Sequence, residues 1–251
     1  MSGAWFFHLT GELHNSPVSL SRETGQHIRA LRLQDDDRIV LADGRGRAWQ
    51  ARLALQGDQP PLAVIENELV QNSEPPLDVT LLAGITKGEK MDQMVRAAVE
   101  LGVKKIIPVL TSRTVVQISE TKRERKGARW QKIAMAAAAL CRRSYLPQVH
   151  PPLDFDAMLP LIAEKELVIV PWEDEKNRGL LSLLQNIKIP PREVLVFTGP
   201  EGGISAPEME QLERLTPVQP VSLGPRILSA QHAPLAALSV IMALWGDLGG
   251  I

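Results

Sequence analysis

From residue 78 onward, short apolar segments alternate with helical segments, and this alternation constrains the fold more than any other feature of the sequence. The apolar segments are rich in β-branched residues and too short for helices, so they predict buried strands. They span residues 78–83, 105–109, 167–170, 194–197 and 220–223. Because strands that alternate with helices form parallel sheets covered on both faces, the sequence predicts an α/β domain.

Two of these predicted strands run directly into glycine-containing loops. Residues 198–203 read TGPEGG, and residues 223–228 read LGPRIL. Gly/Pro turns leave backbone groups bare, and the ligands of parallel sheets bind beyond the carboxyl ends of the strands. The two loops therefore predict two walls of one small-molecule site. Neither loop matches the glycine spacing of the dinucleotide-binding fingerprint or the Gly-Lys-Ser/Thr signature of the P-loop.

Each loop carries one charged side chain. The planar guanidinium of Arg226 suits a phosphate or a base edge, although its position fits a surface arginine equally well. Glu201 either orients a ligand or caps local amides. Ser205 with Glu208 three residues later is the signature of a capping box, so the first loop is predicted to lead into a helix.

The first part of the chain has a different pattern. Residues 38–53 hold two strand-like segments around a turn-rich link, which predicts a hairpin. A short helix is predicted to start near Ser21. Residues 71–76 read QNSEPP, a polar stretch with prolines that is typical of a domain boundary. We therefore predict a small β-barrel or sandwich in residues 1–72 and the α/β domain in residues 73–251.

Composition limits the kinds of function. The net charge is −1, so a nucleic-acid partner requires a local basic patch. Cys141 is the only cysteine, which excludes an intramolecular disulfide and favours a reducing compartment. The N-terminus lacks the basic region and apolar stretch of a signal peptide, and no apolar run is long enough to span a bilayer. We therefore expect a cytoplasmic protein with no membrane partner.

Metal chemistry is not expected, because the five histidines are scattered without paired-ligand spacing. Basic side chains, in contrast, are concentrated in one predicted helical region and in the first domain. They are Arg123, Arg125, Lys126, Arg129, Lys132, Arg142 and Arg143 in the helical region, and Arg29, Arg32, Arg45 and Arg47 in the first domain. Such groups usually form a solvated face, but together they are consistent with a surface for a nucleic-acid backbone.

Motifs along the whole chain form a combination that is specific enough to indicate a family. They are HIRALR at 27–32, DGRG at 43–46, ELGVKKIIP at 100–108, RWQKIA at 129–134 and the loops at 198–203 and 223–228. This combination resembles the RsmE-type methyltransferases of the SPOUT superfamily, trefoil-knotted enzymes that methylate N3 of a uracil in small-subunit ribosomal RNA. The resemblance implies an α/β fold in which a small PUA-like, RNA-binding β-barrel precedes a knotted SPOUT domain with a parallel sheet. It also implies a homodimer that associates through the knotted domain.

The resemblance further implies S-adenosylmethionine as the cofactor, with ribosomal RNA or the small ribosomal subunit as the partner. The cofactor-binding residues that it implies are Val170, Pro171, Thr198, Gly199, Glu201, Gly202, Gly203, Leu223, Gly224, Ile227, Leu228 and Ala233. Arg226 is the candidate catalytic residue, because a guanidinium can stabilise the negative charge that develops on uracil. The candidate RNA-binding residues are Arg29, Arg32, Arg129 and Arg143.

The chain departs from the family pattern late in the long helical region. The family commonly has Ala-Glu-Gln, then Ser or Cys, then Gly-Arg, whereas residues 138–143 read AALCRR. Ala139 and Leu140 therefore stand where an acid and an amide are common. Those polar groups would face RNA, so the difference bears on the target base.

A second departure lies just after Arg226. The family commonly continues Arg-Ile-Leu-Arg-x-Glu-Thr-Ala, whereas Ser229, Gln231 and His232 replace the second arginine, the glutamate and the threonine here. No general base is evident, and His232 and Glu201 are the candidates. The leading prediction is methylation of uridine N3 in 16S ribosomal RNA. The alternatives are a methyltransferase with a different RNA acceptor and an RNA-binding paralogue that has lost catalysis.

Overall fold

The chain divides into two compact units in the computed structural model, which describes residues 3–9, 13, 16–57, 59–70 and 73–250. The first unit comprises residues 1–74 together with 138–146, and the second comprises residues 75–137 and 147–251. The segment 138–146 therefore belongs to the first unit, which the sequence did not indicate.

The described part of the first unit contains a five-stranded sheet, one complete helix and the end of another. Its elements are β1 (Ala4–Phe7), β2 (Val18–Ser19), α1 (Arg22–Ala30), β3 (Arg38–Ala42), β4 (Ala48–Ala54) and β5 (Leu62–Glu68). The strands lie in the order β1-β3-β4-β5-β2, and β3 and β4 form the predicted antiparallel hairpin. Helix α1 begins where predicted, because the Ser21 hydroxyl accepts a hydrogen bond from the Thr24 amide at 3.1 Å. Ile28 of α1 and Trp49 of β4 pack in one apolar core.

A buried ion pair joins Glu74 to the segment 138–146 within the first unit. The Glu74 carboxylate accepts hydrogen bonds from the Arg143 guanidinium at 2.7 and 3.0 Å. It also accepts hydrogen bonds from the amides of Ser144 and Tyr145 at 3.1 and 3.0 Å. The Arg143 side chain is 3% exposed. Because a buried charge is tolerated only when it is paired and hydrogen-bonded, this contact holds the segment in the first unit.

The second unit alternates strands with helices, as predicted. Its strands are β6 (Asp78–Gly84), β7 (Lys105–Leu110), β8 (Gln148–Val149), β9 (Leu153–Asp154), β10 (Val168–Pro171), β11 (Glu193–Thr198) and β12 (Val218–Val221). Its helices are α2 (Lys90–Glu100), α3 (Glu120–Leu140), α4 (Phe155–Ala163), α5 (Leu180–Asn186), α6 (Ala206–Glu213) and α7 (His232–Trp245). The last residues of α3 belong to the first unit. Each predicted strand is confirmed, with ends that differ by a residue or two.

The strands of the second unit form one parallel sheet in the order β12-β10-β11-β6-β7-β8, with β9 also paired to β7. Strands β6 and β11 lie at the centre and are buried along almost their whole length. Strand β12 lies at the edge, which suits Pro220 because proline cannot donate to a sheet ladder. Since these strands are parallel, the carboxyl ends of β10, β11 and β12 lie side by side at one edge of the sheet.

The first glycine loop leads into α6 through the predicted capping box. The Ser205 hydroxyl accepts a hydrogen bond from the Glu208 amide, and the Glu208 carboxylate accepts one from the Ser205 amide at 3.0 Å. The same carboxylate accepts a hydrogen bond from the Ser112 amide at 2.7 Å. Burial alone would raise the pKa of Glu208, but these hydrogen bonds outweigh it and lower the pKa. Glu208 therefore joins the start of α6 to the loop that follows β7.

Candidate active site

Two adjoining cavities lie at the carboxyl ends of β10, β11 and β12. Pro171, Trp172 and Leu228 belong to the walls of both, and we call the combined space the loop cavity. The two parts have volumes of about 560 and 480 Å³. Small-molecule sites typically measure roughly 300–1,000 Å³, so either part is large enough for a ligand.

The structure brings almost all of the predicted cofactor-binding residues to the loop cavity. Its wall includes Pro171, Thr198, Gly199, Glu201, Gly202, Gly203, Leu223, Gly224, Ile227, Leu228 and Ala233. Val170 differs, because it is fully buried in the hydrophobic core and is not part of the wall. A contact between the cofactor and the backbone at Val170 stays a prediction.

The first loop folds closely on itself because its glycines carry no side chains. A Cβ on Gly199 would stand 2.7 Å from the carbonyl carbon of Gly203. Gly203 itself has a φ of +72°, a conformation that favours glycine. A Cβ on Gly203 would also stand 2.7 Å from Oε1 of Glu173. The shape of this wall therefore depends on glycine at both positions.

Thr198 adds a hydroxyl to the wall of the loop cavity. The residue ends β11 and is 2% exposed, and its Oγ1 has no hydrogen-bond partner within the described part of the chain. A buried hydroxyl without a partner is unfavourable, so this hydroxyl is a candidate donor to a ligand.

Glu201 is held by the turn that follows β6. Its carboxylate accepts hydrogen bonds from the Lys87 amide at 3.1 Å and from the Lys90 ammonium at 3.2 Å. Partial burial alone would raise the pKa of Glu201, but the hydrogen bonds outweigh it and lower the pKa. Glu201 is therefore ionised at neutral pH, and its hydrogen bonds hold the first loop in place. This favours the amide-capping interpretation. Because its pKa is low, Glu201 is a weak proton acceptor.

The second loop presents Arg226 and a bare glycine to the cavity. Arg226 is exposed and makes no hydrogen bond or ion pair with the residues that the structure describes. Gly224 has a φ of +113°, and nothing lies within 4 Å of the position that a Cβ would take. The Gly224 amide donates to the Ser222 hydroxyl at 3.2 Å, which stabilises this turn. An unpaired guanidinium beside a cavity is able to stabilise negative charge that develops there.

The sequence did not indicate Trp172, Glu173 and Lys176, which also line the cavity. All of them follow β10 closely, so the rule that ligands bind beyond the carboxyl ends of parallel strands was the signal that could have found them. Glu173 lines both parts of the loop cavity, and its carboxylate accepts no hydrogen bond from the described residues. It therefore offers acceptor atoms to the hydroxyl or amino groups of a ligand.

Among the residues that depart from the family pattern after Arg226, some lie in the wall of the loop cavity and others do not. His232 Nδ1 is 3.0 Å from the Ser229 hydroxyl, and the Gln231 amide donates to the side chain of Gln93 on α2 at 2.6 Å. Ser229 is part of the wall, whereas Gln231 and His232 are not. His232 is therefore poorly placed to take a proton from a substrate in the loop cavity.

The predicted RNA-binding arginines have different environments. Arg29 and Arg32 are exposed on α1 and directly after it. Arg129 lies on α3, where its guanidinium donates to Asp92. Arg143 is buried in the ion pair with Glu74, so its guanidinium is not available to an RNA phosphate. The structure therefore argues against the RNA-binding role predicted for Arg143.

Within the described ranges, no group of three or more His, Cys, Asp or Glu residues is arranged to hold a metal ion. The helices of the described ranges are all too short or too polar to cross a membrane.

Comparison with known proteins identifies the family. Residues 73–242 match the RNA methyltransferase domain, and residues 20–65 match the RNA methyltransferase PUA domain. The ribosomal RNA small subunit methyltransferase E of Bacillus subtilis is 32% identical to this chain, over 94% of the chain and 94% of its own length. The chain belongs to this RNA methyltransferase family. The family member from Synechocystis is 35% identical, over 86% of this chain and 69% of its own length.

A solved structure of the family supports the fold. The ribosomal RNA small subunit methyltransferase E from Neisseria gonorrhoeae, bound to S-adenosyl methionine, is 30% identical and has a TM-score of 0.89. The match covers 98% of this chain and 99% of that one. The predicted fold class is confirmed, since a PUA-like domain precedes an RNA methyltransferase domain that is mixed α/β with a parallel sheet. The trefoil knot itself stays a prediction.

Proposed function

We propose that this chain is an S-adenosylmethionine-dependent methyltransferase that acts on N3 of a uridine in 16S ribosomal RNA. The loop cavity is the observation that carries the proposal. Two glycine-containing loops at the ends of parallel strands surround a space with the unpaired Thr198 hydroxyl and the unpaired Arg226 guanidinium on its wall. The names of the relatives and the cofactor bound to the Neisseria protein support the same activity.

The wall of the loop cavity fits S-adenosylmethionine. Backbone groups left bare by glycine, together with the Thr198 hydroxyl, suit the hydrogen-bonding edge of an adenine. The Glu173 carboxylate suits the ribose hydroxyls, which are donors. Ile227 is 86% exposed in the chain, and a ligand in the cavity would cover part of this apolar side chain. The bound cofactor supplies a methyl group on a positively charged sulfur.

Arg226 supplies the charge stabilisation that this chemistry requires. Uracil N3 becomes nucleophilic only when its proton passes to solvent, and the resulting negative charge spreads over the neighbouring carbonyl oxygens. A guanidinium on the wall of the cavity lowers the free energy of that charged state. The rest of the rate enhancement comes from holding the nucleophile in line with the methyl group.

We further propose that residues 1–72 bind RNA while residues 73–251 carry out the reaction, in the cytoplasm. The exposed Arg29 and Arg32 support contact between the first domain and the RNA backbone. We also propose a homodimer that forms through the second domain. Leu244 of the apolar helix α7 is 42% exposed, and a second copy of the chain would cover such side chains.

The function is tested with tritiated S-adenosylmethionine and small ribosomal subunits that lack the modification, followed by identification of the labelled nucleoside. Label in 3-methyluridine supports the proposal. Label in another nucleoside replaces it with the different-acceptor alternative. Calorimetric binding of S-adenosylmethionine without transfer to any RNA favours the paralogue that has lost catalysis. No binding of S-adenosylmethionine contradicts the cofactor role of the loop cavity.

A further inference from the structure

A separate cavity of about 270 Å³ lies in the second unit between the start of α2 and the side of α3. Its wall includes Thr86, Gly88, Glu89, Asp92, Lys126 and Trp130. We call it the α2 pocket. None of its wall residues lines the loop cavity.

The backbone at the start of α2 leaves amide donors available at this pocket. Glu89 occupies the N-cap position, but its side chain makes no capping hydrogen bond. The first amides of a helix have no partner within the helix, and the helix dipole adds partial positive charge there. Gly88 has a φ of +61°, with nothing within 4 Å of the position of a Cβ. An anion can therefore approach this turn without meeting a side chain.

Thr86 is an independent sign that the α2 pocket takes a ligand. The residue is 3% exposed and lines the pocket, yet its Oγ1 has no hydrogen-bond partner among the described residues. The hydroxyl of a buried threonine is normally satisfied by protein or water. A ligand oxygen that accepts from this hydroxyl would remove the deficit.

The charged groups of the pocket favour an anion. Lys126 forms no ion pair with the described residues, and its ammonium lies 5.8 Å from the centre of the Trp130 ring. Asp92 already accepts hydrogen bonds from the Arg129 guanidinium and, at 3.0 Å, from Nε1 of Trp130. Glu89 is the remaining carboxylate, and it is exposed. Glu89 also lacks an ion-pair partner among the described residues, but its exposed side chain can turn towards solvent, which leaves Lys126 and the amides at the start of α2 as the donors available to an anion.

The α2 pocket is connected to the loop cavity by adjacent residues. Thr86 is followed by Lys87, whose amide donates to the carboxylate of Glu201 at 3.1 Å, and Glu201 lines the loop cavity. The two spaces therefore lie on either side of one turn. An RNA strand whose target base entered the loop cavity would bring its neighbouring phosphates to that turn.

We infer that the α2 pocket binds a phosphodiester group of the RNA strand beside the target uridine, through Lys126, the Thr86 hydroxyl and the amides at the start of α2. This inference rests on the proposed function, because it takes RNA as the substrate. It assigns a substrate-binding role to residues outside the cofactor loops.

The test measures the affinity of the full-length protein for a small-subunit RNA fragment at several salt concentrations. Lys126→Met is compared with Lys122→Met, which removes an exposed lysine of the same helix outside the pocket. We expect Lys126→Met to reduce the salt slope of log K by about 1 and to weaken binding roughly tenfold. Lys122→Met should match the wild type, and neither change should alter the affinity for S-adenosylmethionine.

A second variant separates ligand binding from folding. Thr86→Val removes the unpaired hydroxyl and keeps the shape, so the unfolding temperature without RNA should stay the same or rise, while RNA affinity falls roughly fivefold. The inference would be overturned if Lys126→Met and Lys122→Met had the same RNA affinity and the same salt slope. Methylation of RNA by the wild type would still uphold the proposed function in that case. The inference also fails if Lys126→Met weakens stabilisation by inorganic phosphate but leaves RNA binding unchanged. Absence of RNA binding by the wild type would overturn both.

Discussion

Gly84 and Pro200 are in such close contact that a Cβ on Gly84 would stand 2.3 Å from the Pro200 nitrogen. Gly84 ends β6, and Pro200 belongs to the loop that leaves the neighbouring strand β11. Because side chains do not approach a backbone nitrogen so closely, the first loop takes its position only if β6 ends in glycine. One wall of the loop cavity is therefore set by a residue of another strand.

Gly84→Ala should displace the first loop and weaken S-adenosylmethionine binding. Overpacking of this kind lowers the free energy of unfolding by about 1–3 kcal/mol, and we expect a loss of affinity of at least tenfold, measured by calorimetry. Gly57→Ala is the control, since Gly57 has a φ of +60° but nothing lies within 4 Å of its Cβ position. Gly57→Ala should lower the free energy of unfolding without changing the affinity for S-adenosylmethionine. Unchanged affinity in Gly84→Ala would show that the loop tolerates the displacement.

Thr198→Val should weaken cofactor binding without destabilising the protein. The Thr198 hydroxyl has no partner to lose within the described residues, so removing it should leave the unfolding temperature unchanged or raise it. The affinity for S-adenosylmethionine should fall roughly fivefold. Thr111→Val is the matched control, because the Thr111 hydroxyl lies 3.1 Å from the Thr114 hydroxyl and its loss should reduce stability alone. A cofactor contact for Thr198 would be excluded if Thr198→Val reduced stability and kept the affinity for S-adenosylmethionine, while Thr111→Val weakened that affinity.

Arg226→Ala should lower kcat roughly 10²-fold with cofactor and RNA saturating, because the guanidinium stabilises charge that forms only in the transition state. The affinity for S-adenosylmethionine should stay within about twofold, as expected for a group that acts on the substrate. Arg214→Ala provides the control, since Arg214 is an exposed arginine of the same unit that pairs with Glu210. A wild-type kcat in Arg226→Ala would disprove the proposed role.

The lowered pKa values of Glu201 and Glu208 predict a loss of stability in acid. Their folded-state pKa values lie below the ordinary value of 4.5. Their contribution is therefore fully present above about pH 4.5 and is lost as the pH falls through the folded-state values. Glu208→Gln should lower stability at pH 7 and flatten the decline below pH 4.5 in denaturant titrations. Glu210→Gln, on the exposed side of α6, should keep the wild-type pH dependence.

Arg143→Met should affect folding rather than RNA recognition. Removing this guanidinium leaves the mostly buried Glu74 carboxylate without its charged partner, which costs up to about 3–5 kcal/mol of unfolding free energy. Arg32→Met should have the opposite profile, with weaker RNA binding at low salt and unchanged stability, because Arg32 is exposed. Denaturant unfolding and salt-dependent RNA binding of both variants distinguish the two roles. A stable Arg143→Met protein with impaired RNA binding would restore the role predicted from the sequence.

Local patterns predicted the strands, the helix caps and the positions of the two glycine loops. Ser21 and Ser205 begin helices where their sequence context indicates, because a cap is decided by residues within one turn. Strand β11 was evident because a buried parallel strand is apolar throughout its length. The carboxyl ends of such strands then mark the ligand site without any knowledge of their order in the sheet.

Contacts between distant residues could not be read from the same patterns. The structure argues against the RNA-binding prediction for Arg143, because the buried guanidinium is paired with Glu74, 69 positions away. The unpaired state of the Thr86 and Thr198 hydroxyls is likewise invisible in the sequence, since it depends on which groups of other segments come within hydrogen-bonding distance.

The sequence by itself determined the fold class and the two loops that form the loop cavity, because these follow from short-range periodicity and glycine placement. It indicated the family only through the resemblance of its motifs. Only the tertiary structure decided which charged groups remain available for a ligand. It paired Glu201 with Lys90 and Arg143 with Glu74, and left Arg226 and Lys126 without a counter-charge among the described residues. The physical reason is that the availability of a charge depends on its distance to every other charge, which chain folding alone sets.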